Sequence, residues 1–416
     1  MPPIIAFYVL RLHMFVLSFV LEDWALHELI PNLREWKRAA LLVSSSYVTW
    51  AFQTHTFSNS VETLIVLWSM VLIARLRNDD QHNQAAVCIV LAFLMVLGVF
   101  NRITFPAFLV LPVLDLVPHL YAKPLRLPII MVAGLLTLFY AVAIDTNFYT
   151  RAMVNPLELH ETAVLTPLNN LKYNLDPSNL AKHGLHPYWQ HLGPNLAQLL
   201  GPALPLLFTS RRNTMFWSAM TGIASLSCFR HQEARFLLPA LPLLLVSMKL
   251  PLRFSRIWIG AWIIFNVLAG ITFGTYHQGG VVPAQAWIAQ QDDVAQVFWW
   301  KTYSPPRWLL AEKNAAIETM DLMGMKGERM IDLISQATTC KSDRHVLLVA
   351  PSSASFLDSF VEFERAVDGI RLNELWVTRT HVGLDDLDIG NDGVLPTLQR
   401  VIGRRGLKVF EVEKQC

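Results

Sequence analysis

Apolar residues dominate the first two thirds of the chain in runs long enough to cross a bilayer as helices, and polar residues gather between those runs. With about 20 residues needed for a crossing, the windows near 4–21, 39–54, 60–76, 84–100, 103–119, 126–144, 193–209, 214–228, 236–249 and 256–274 predict about ten membrane helices. Several of these are short or interrupted by proline. After Gly274 the pattern changes: most of the acidic residues lie there, the apolar patterns become short and mixed, and "HVLLVAP" (His345 to Pro351) is strand-like. The expected fold is an all-α polytopic membrane protein over residues 1–274, followed by a small folded α/β C-terminal domain over 275–416. No internal repeat or low-complexity tract is visible.

Composition agrees with the pattern. The 416 residues are 53% hydrophobic and only 16% charged, and the mean hydropathy of +0.37 lies outside the range of ordinary soluble chains. Thirteen Trp and 23 Phe add the aromatic weight expected of lipid-facing helices with interfacial belts. A net charge of +2 gives no sign of nucleic acid as a partner. Cys88, Cys228, Cys340 and Cys416 are far apart and form no CxxC pair, so neither a metal site nor a disulfide framework is indicated. There is no glycine-rich phosphate loop, HExxH, GxSxG or nucleotide fingerprint. No cofactor is expected, and ATP or nucleotide-sugar chemistry is disfavoured.

The basic residues set the orientation, because Lys and Arg in short loops stay on the cytosolic side. One set of alternating loops holds Arg34, Lys37, Arg38, then Arg75 and Arg77, Lys123 and Arg126, Arg211 and Arg212, and Lys249, Arg253 and Arg256. The other set is nearly empty of them. The first set is therefore read as cytosolic, which puts the segment from Thr275 onward in the lumen. The same alternation puts Met1 in the lumen, and the first apolar run does not resemble a cleaved signal peptide. A luminal start predicts a helix preceding this sequence.

On this topology the unusual polar residues fall on the luminal side: "HTFSNSVE" from His55, "FNRITFP" from Phe100, "NLDPSNLAKHGLHPYW" from Asn174, "RHQEARF" from Arg230 and "YHQGG" from Tyr276. Ionisable groups at membrane depth are costly unless they face a polar cavity or one another, so their concentration on one face points to a site. The candidates are Asn59, Glu62, Arg102, His183, His186, Arg230, His231, Glu233 and Arg235. Each has a simpler reading. "RHQEARF" could be an interfacial loop whose Arg and His snorkel to the headgroups while Glu233 balances them. Glu62 could follow a helix cap made by Ser58 or Asn59. His183 and His186 have a spacing that could hold a metal on a helix, but Gly184 and Pro187 favour a turn. "TYSPPRW" (Thr302 to Trp308) reads as a stiff extended loop. Together the candidates offer Arg and His to an anion and carboxylates to hydroxyl groups, as a lipid-linked phosphate substrate would require.

The segments "HTFSNSVET", "NNLKYNLDPSNLAKHGLHPYWQHLGPNLAQLLGP", "RHQEARFLLP", "HQGGVVP" and "KTYSPPRWLL" resemble glycosyltransferase family 22, the dolichol-phosphate-mannose-dependent mannosyltransferases of the endoplasmic reticulum. The likeness runs from about residue 40 to beyond 310 and covers nearly the whole chain. HGLHP, HQGG and YSPP are most similar to the branch acting on the glycosylphosphatidylinositol (GPI) precursor. The resemblance implies a GT-C-like fold in the endoplasmic reticulum membrane with a luminal active face. It implies dolichyl phosphate mannose as donor and the GPI precursor glycolipid as acceptor, with inverting transfer that adds an α-1,2-linked fourth mannose. It also implies an Asp base in a His-Pro-Asp-Glu motif on the first luminal loop. That motif is absent: the only His-Pro is His186 and Pro187, and Glu22 and Asp23 fall on the cytosolic side. The catalytic residue is therefore unassigned, and the missing motif and the missing first helix are read together as one N-terminal truncation. Two alternatives stay open: a sister enzyme acting on dolichol-linked oligosaccharide, and a non-catalytic multispan binder.

Overall fold

The computed structural model describes residues 1–79, 83–151, 159–176, 178–179, 184–251, 253, 255–338, 344–362, 369–384 and 393–414. The chain divides into two compact units, one of Leu10–Val267 and one of Met1–Val9 with Leu268–Cys416.

The first unit is helical. Its opening elements are α1 (Pro3–Leu29), α2 (Leu33–Ser45), α3 (Tyr47–Ala51), α4 (Ser58–Arg77), α5 (Gln84–Asn101), α6 (Pro106–Ala122) and α7 (Arg126–Thr150). Polar caps set several boundaries. Asn32 accepts from the amides of Arg34 and Glu35 to start α2, and Asn83 does the same for Ala85 and Ala86 at α5. Ser46, with an extended ψ of 131°, ends α2 and caps α3 through Val48 N–H, which splits the apolar run 39–54. α4 is the most enclosed element, with fourteen of its twenty residues buried, whereas α7 buries three of twenty-five. Against α6 lies the helix Thr214–Ser227, where Gly222 leaves room for Phe108: a Cβ on Gly222 would come within 2.1 Å of that ring. Ser218 donates to the Phe108 carbonyl across the same contact.

Among the described residues, five helices are long and apolar enough to cross a membrane: Pro3–Leu29, Ser58–Arg77, Gln84–Asn101, Arg126–Thr150 and Ser255–Tyr276. The expected count of about ten is not confirmed, and proline gives a physical reason. Proline removes an amide donor and clashes with the preceding turn, and the run 193–209 accordingly becomes a π-turn (His191–Asn195), one α-turn (Leu196–Leu200) and a 3₁₀ segment (Gly201–Thr209), with Pro194, Pro202 and Pro205 inside it. The run 236–249 yields the eight-residue helix Ala240–Ser247. α6, at 17 residues, is a shorter apolar helix.

Ion pairs tie the helix ends far from the N-terminus of α4. Arg75 meets Glu28 at 2.9 Å, Arg126 meets Asp79 at 2.6 Å beside Lys123, and Arg211 forms a two-pronged contact with Glu35 at 2.5 and 2.6 Å.

The second unit is built on a five-stranded mixed sheet of β1 (Val294–Trp299), β2 (Glu318–Asp321), β3 (His345–Pro351), β4 (Ile370–Thr378) and β5 (Leu407–Lys414), in the order β2-β1-β3-β5-β4. β1 runs parallel to β2 and β3, and β5 runs antiparallel to β3 and β4. The strand-like "HVLLVAP" is β3, whose residues after His345 are all buried, as a central strand covered on both faces must be. On one face Phe298, Leu348 and Phe410 pack against Met330 and Ile334 of the helix Gly327–Ala337. On the other, Val297, Leu347 and Val409 pack against Ala284 and Ile288 of the helix Val281–Ile288. The HQGG and YSPP segments meet here: His277 Nε2 and the Tyr303 hydroxyl lie 3.0 Å apart, and Tyr303 N–H donates to Gln278 Oε1 at 3.1 Å. Gly280 N–H donates to Nδ1 of the buried His381.

Candidate functional site

At the N-terminal end of α4 the sequence places a polar turn directly before an apolar helix, and the structure fills that position with charge. Glu62 has no exposed surface. Arg102, just beyond the C-terminus of α5, brings its Nε to 3.0 Å from Glu62 Oε2, and the Thr104 hydroxyl donates to Glu62 Oε1 at 3.0 Å. Arg102 Nη1 also reaches Ser58 Oγ at 3.2 Å, while Asn101 donates to the Ser58 carbonyl at 2.8 Å. Asn59, with its amide oxygen turned toward Arg102, accepts from Nε and Nη1 at 3.3 Å. The cap reading fails: the residue before α4 is Phe57, which makes no side-chain cap, and Ser58 and Asn59 are taken up by Arg102. Burial lowers the Arg102 pKa from its ordinary value, and the nearby Glu62 opposes that.

The second half of the site is the loop Arg230–Arg235. Arg235 grips Glu233 with Nε at 2.5 Å and Nη2 at 3.0 Å, and His231 Nε2 lies 3.0 Å from the same carboxylate. Burial works against the Glu233 charge. The His231 hydrogen bond and the Arg235 charge outweigh it and hold the carboxyl at about 2. Arg102 sits 5.0 Å from the centre of the Phe236 ring, and Arg235 lies 5.8 Å from that ring and 5.4 Å from Phe57, so aromatic faces flank both guanidinium groups. His55 stacks on Phe57 and meets Arg11 of α1 at 2.9 Å through Nδ1. Burial, with Arg11 and Arg235 nearby, lowers the His55 pKa to about 3 and keeps its ring neutral.

The HGLHP segment joins this loop. Gly184 takes φ of +87°, the left-handed conformation a turn requires. His186 N–H donates to the Arg230 carbonyl at 2.8 Å, and Gln232 N–H donates to His186 Nδ1 at 3.3 Å. The His186 and His231 rings lie 6.2 Å apart.

The structure thus brings together Asn59, Glu62 and Arg102, and connects them through Phe236 to Arg235, Glu233, His231 and His186. Arg230 is exposed and contributes its backbone carbonyl. His183 lies outside the described residues. Sequence reasoning missed Gln232, His191 and Asn195, which form a buried network beneath the loop, and Arg11, the one Lys or Arg within the 27 residues of α1. Charge at membrane depth was the available signal for Arg11. Among the described residues no group of three His, Cys, Asp or Glu could hold a metal. The guanidinium and imidazole groups can receive phosphate oxygens, and the carboxylates can orient hydroxyls.

The sequence profile described as the Alg9-like mannosyltransferase family matches residues 1–312. The chain is similar to GPI mannosyltransferase 4 of Aspergillus oryzae, 45% identical over 99% of this chain and 83% of the relative. The corresponding Emericella nidulans protein gives the same identity and coverage. GPI mannosyltransferase 4 of Candida albicans is 34% identical over 92% of this chain and 80% of its own length. No solved structure matches the chain significantly.

Proposed function

Because the chain belongs to the Alg9-like mannosyltransferase family, we propose that it transfers mannose from dolichyl phosphate mannose to the third mannose of the GPI precursor, forming an α-1,2 linkage. The observation that carries this is the 45% identity over 99% of the chain to relatives named GPI mannosyltransferase 4. The same reading assigns a GT-C-like fold in the endoplasmic reticulum membrane, an active face in the lumen, and residues 275–416 as a luminal domain.

In this reaction the acceptor hydroxyl attacks the anomeric carbon, the bond from that carbon to the donor phosphate oxygen breaks, and the phosphate departs with the electron pair. Charge therefore grows on phosphate, where Arg102, Arg235 and His231 can stabilise it without giving up a proton. The hydroxyl proton must pass to a base. Glu233, held at about 2 by its partners, is too weak a base for this and acts to orient Arg235 and His231. Glu62 is engaged by Arg102 and Thr104. Neither carboxylate is assigned as the base.

The test is complementation of cells lacking the enzyme of the fourth GPI mannose, using the complete natural coding sequence. Precursors advancing from three to four mannoses support the proposal. Persistent accumulation of the three-mannose precursor despite normal expression refutes it, and rescue of a dolichol-linked oligosaccharide defect instead would move the assignment to the sister activity.

A further inference from the structure

In RHQEARF the charged side chains lie on one side and Gln232 on the other. His231 and Glu233 meet each other, whereas Gln232 is 1% exposed. Every hydrogen-bonding group of Gln232 is engaged. Its Nε2 donates toward the carbonyls of Phe229 at 2.8 Å, Ser227 at 3.2 Å and Tyr188 at 3.4 Å, and its Oε1 accepts from His191 N–H at 2.9 Å. Its own N–H donates to His186 Nδ1, and its carbonyl accepts from Asn195 Nδ2 at 3.4 Å. Asn195 Nδ2 also lies 2.9 Å from His191 Nδ1. One residue thereby fastens the end of the helix Thr214–Ser227, the charged loop and the π-turn His191–Asn195. Such turns are frequent at functional sites. An accepting Nδ1 also leaves the proton of a neutral His186 ring on Nε2, so the backbone of Gln232 selects the tautomer.

We propose that Gln232 is a positioning residue for mannosyl transfer: it sets the register of the charged loop against the Gly184–Asn195 segment and so aims His231, Glu233 and Arg235 at the donor phosphate. This rests on the mannosyltransferase reading above. Negative charge grows on phosphate as the bond breaks, so a misaimed Arg235 costs more in the transition state than in the bound donor.

The experiment compares wild type with Gln232→Met in the full chain in nanodiscs, measuring kcat per folded molecule, KM for dolichyl phosphate mannose, and hydrogen exchange. The expected result is a kcat lower by roughly ten- to a hundredfold, an unaltered donor KM, and faster exchange confined to Arg230–Glu233 and Gly184–Asn195. Asn195→Leu, which removes the amide donors to His191 and the Gln232 carbonyl and the acceptor of Gln190 Nε2 without adding a charge, is a second variant. A kcat within twofold of wild type in either folded variant overturns the proposal, as does loss of the fold in both, which would make Gln232 a stability residue. A wild-type chain that transfers no mannose refutes the underlying function instead. Unchanged exchange across Arg230–Glu233 in Gln232→Met would then overturn the positioning role on its own.

Discussion

Removing Arg102 separates the structural role of its ion pair from a role in transfer. Arg102→Met leaves the fully buried Glu62 carboxylate with the Thr104 hydroxyl, 3.0 Å away, as its donor. Two opposite charges about 4 Å apart at an effective dielectric constant of about 20 attract by roughly 4 kcal/mol, and removing one partner of a buried pair costs about 3–5 kcal/mol. The Arg102 side chain is 18% exposed, which places the loss near the lower end of that range, about 3 kcal/mol. Glu62→Gln keeps an acceptor for Thr104 and should cost less, about 1–3 kcal/mol. The double variant Glu62→Gln/Arg102→Met removes both charges and should return to within about 1 kcal/mol of wild type. Unfolding in mixed detergent micelles gives the four stabilities of the cycle, and mannose transfer measured on the same preparations gives the activities. If Arg102 receives the departing phosphate, the double variant regains stability but not transfer. Recovery of both would reduce the pair to a structural brace. A single Arg102→Met variant as stable as wild type would refute the burial argument from which the magnitude was worked.

Two further outcomes follow from the same physical accounting. Glu233→Gln keeps the shape but removes the charge that Arg235 and His231 grip; charge-assisted hydrogen bonds contribute about 1.5–3 kcal/mol, so transfer should fall about tenfold or more at unchanged expression. Full activity would return the loop to interfacial decoration. In the second unit, burial and then the nearby His277 lower the His381 pKa from 6.5 to about 4. The unfolded chain therefore takes up the proton first as pH falls, so stability is full above pH 6.5 and is lost progressively toward pH 4, by roughly 3 kcal/mol. His381→Asn, which keeps an acceptor for Gly280 N–H, should flatten this dependence in hydrogen exchange of the β-sheet amides. An unchanged slope would show that another group titrates.

The charge-bearing part of the site was legible because a carboxylate or guanidinium in an apolar setting is conspicuous in one dimension: Glu62, Arg102 and Arg235 stand out by type alone. Gln232, His191 and Asn195 were not. Their partners are backbone carbonyls and amides brought close by a π-turn, and neither backbone geometry nor a neutral amide marks itself in sequence. The apolar runs were also legible as runs, and five of them form helices of crossing length, but the breaks in others were not legible. Ser46 and the prolines at 194, 202 and 205 divide them, and hydropathy averages over such breaks. β3 was recognisable because a strand covered on both faces is apolar throughout, whereas β4 alternates buried and exposed positions only in part and was passed over.

α4 carries Asn59 and Glu62 and is enclosed around most of its circumference, while α7 packs one face against α5 and leaves the rest exposed. A bilayer that thickens or thins acts on the helices it wets, through tilt and mismatch. Changes in lipid composition therefore fall first on α7 and, through its packing, on α5, the helix that ends at Arg102, while α4 and its carboxylate are reached only through their neighbours.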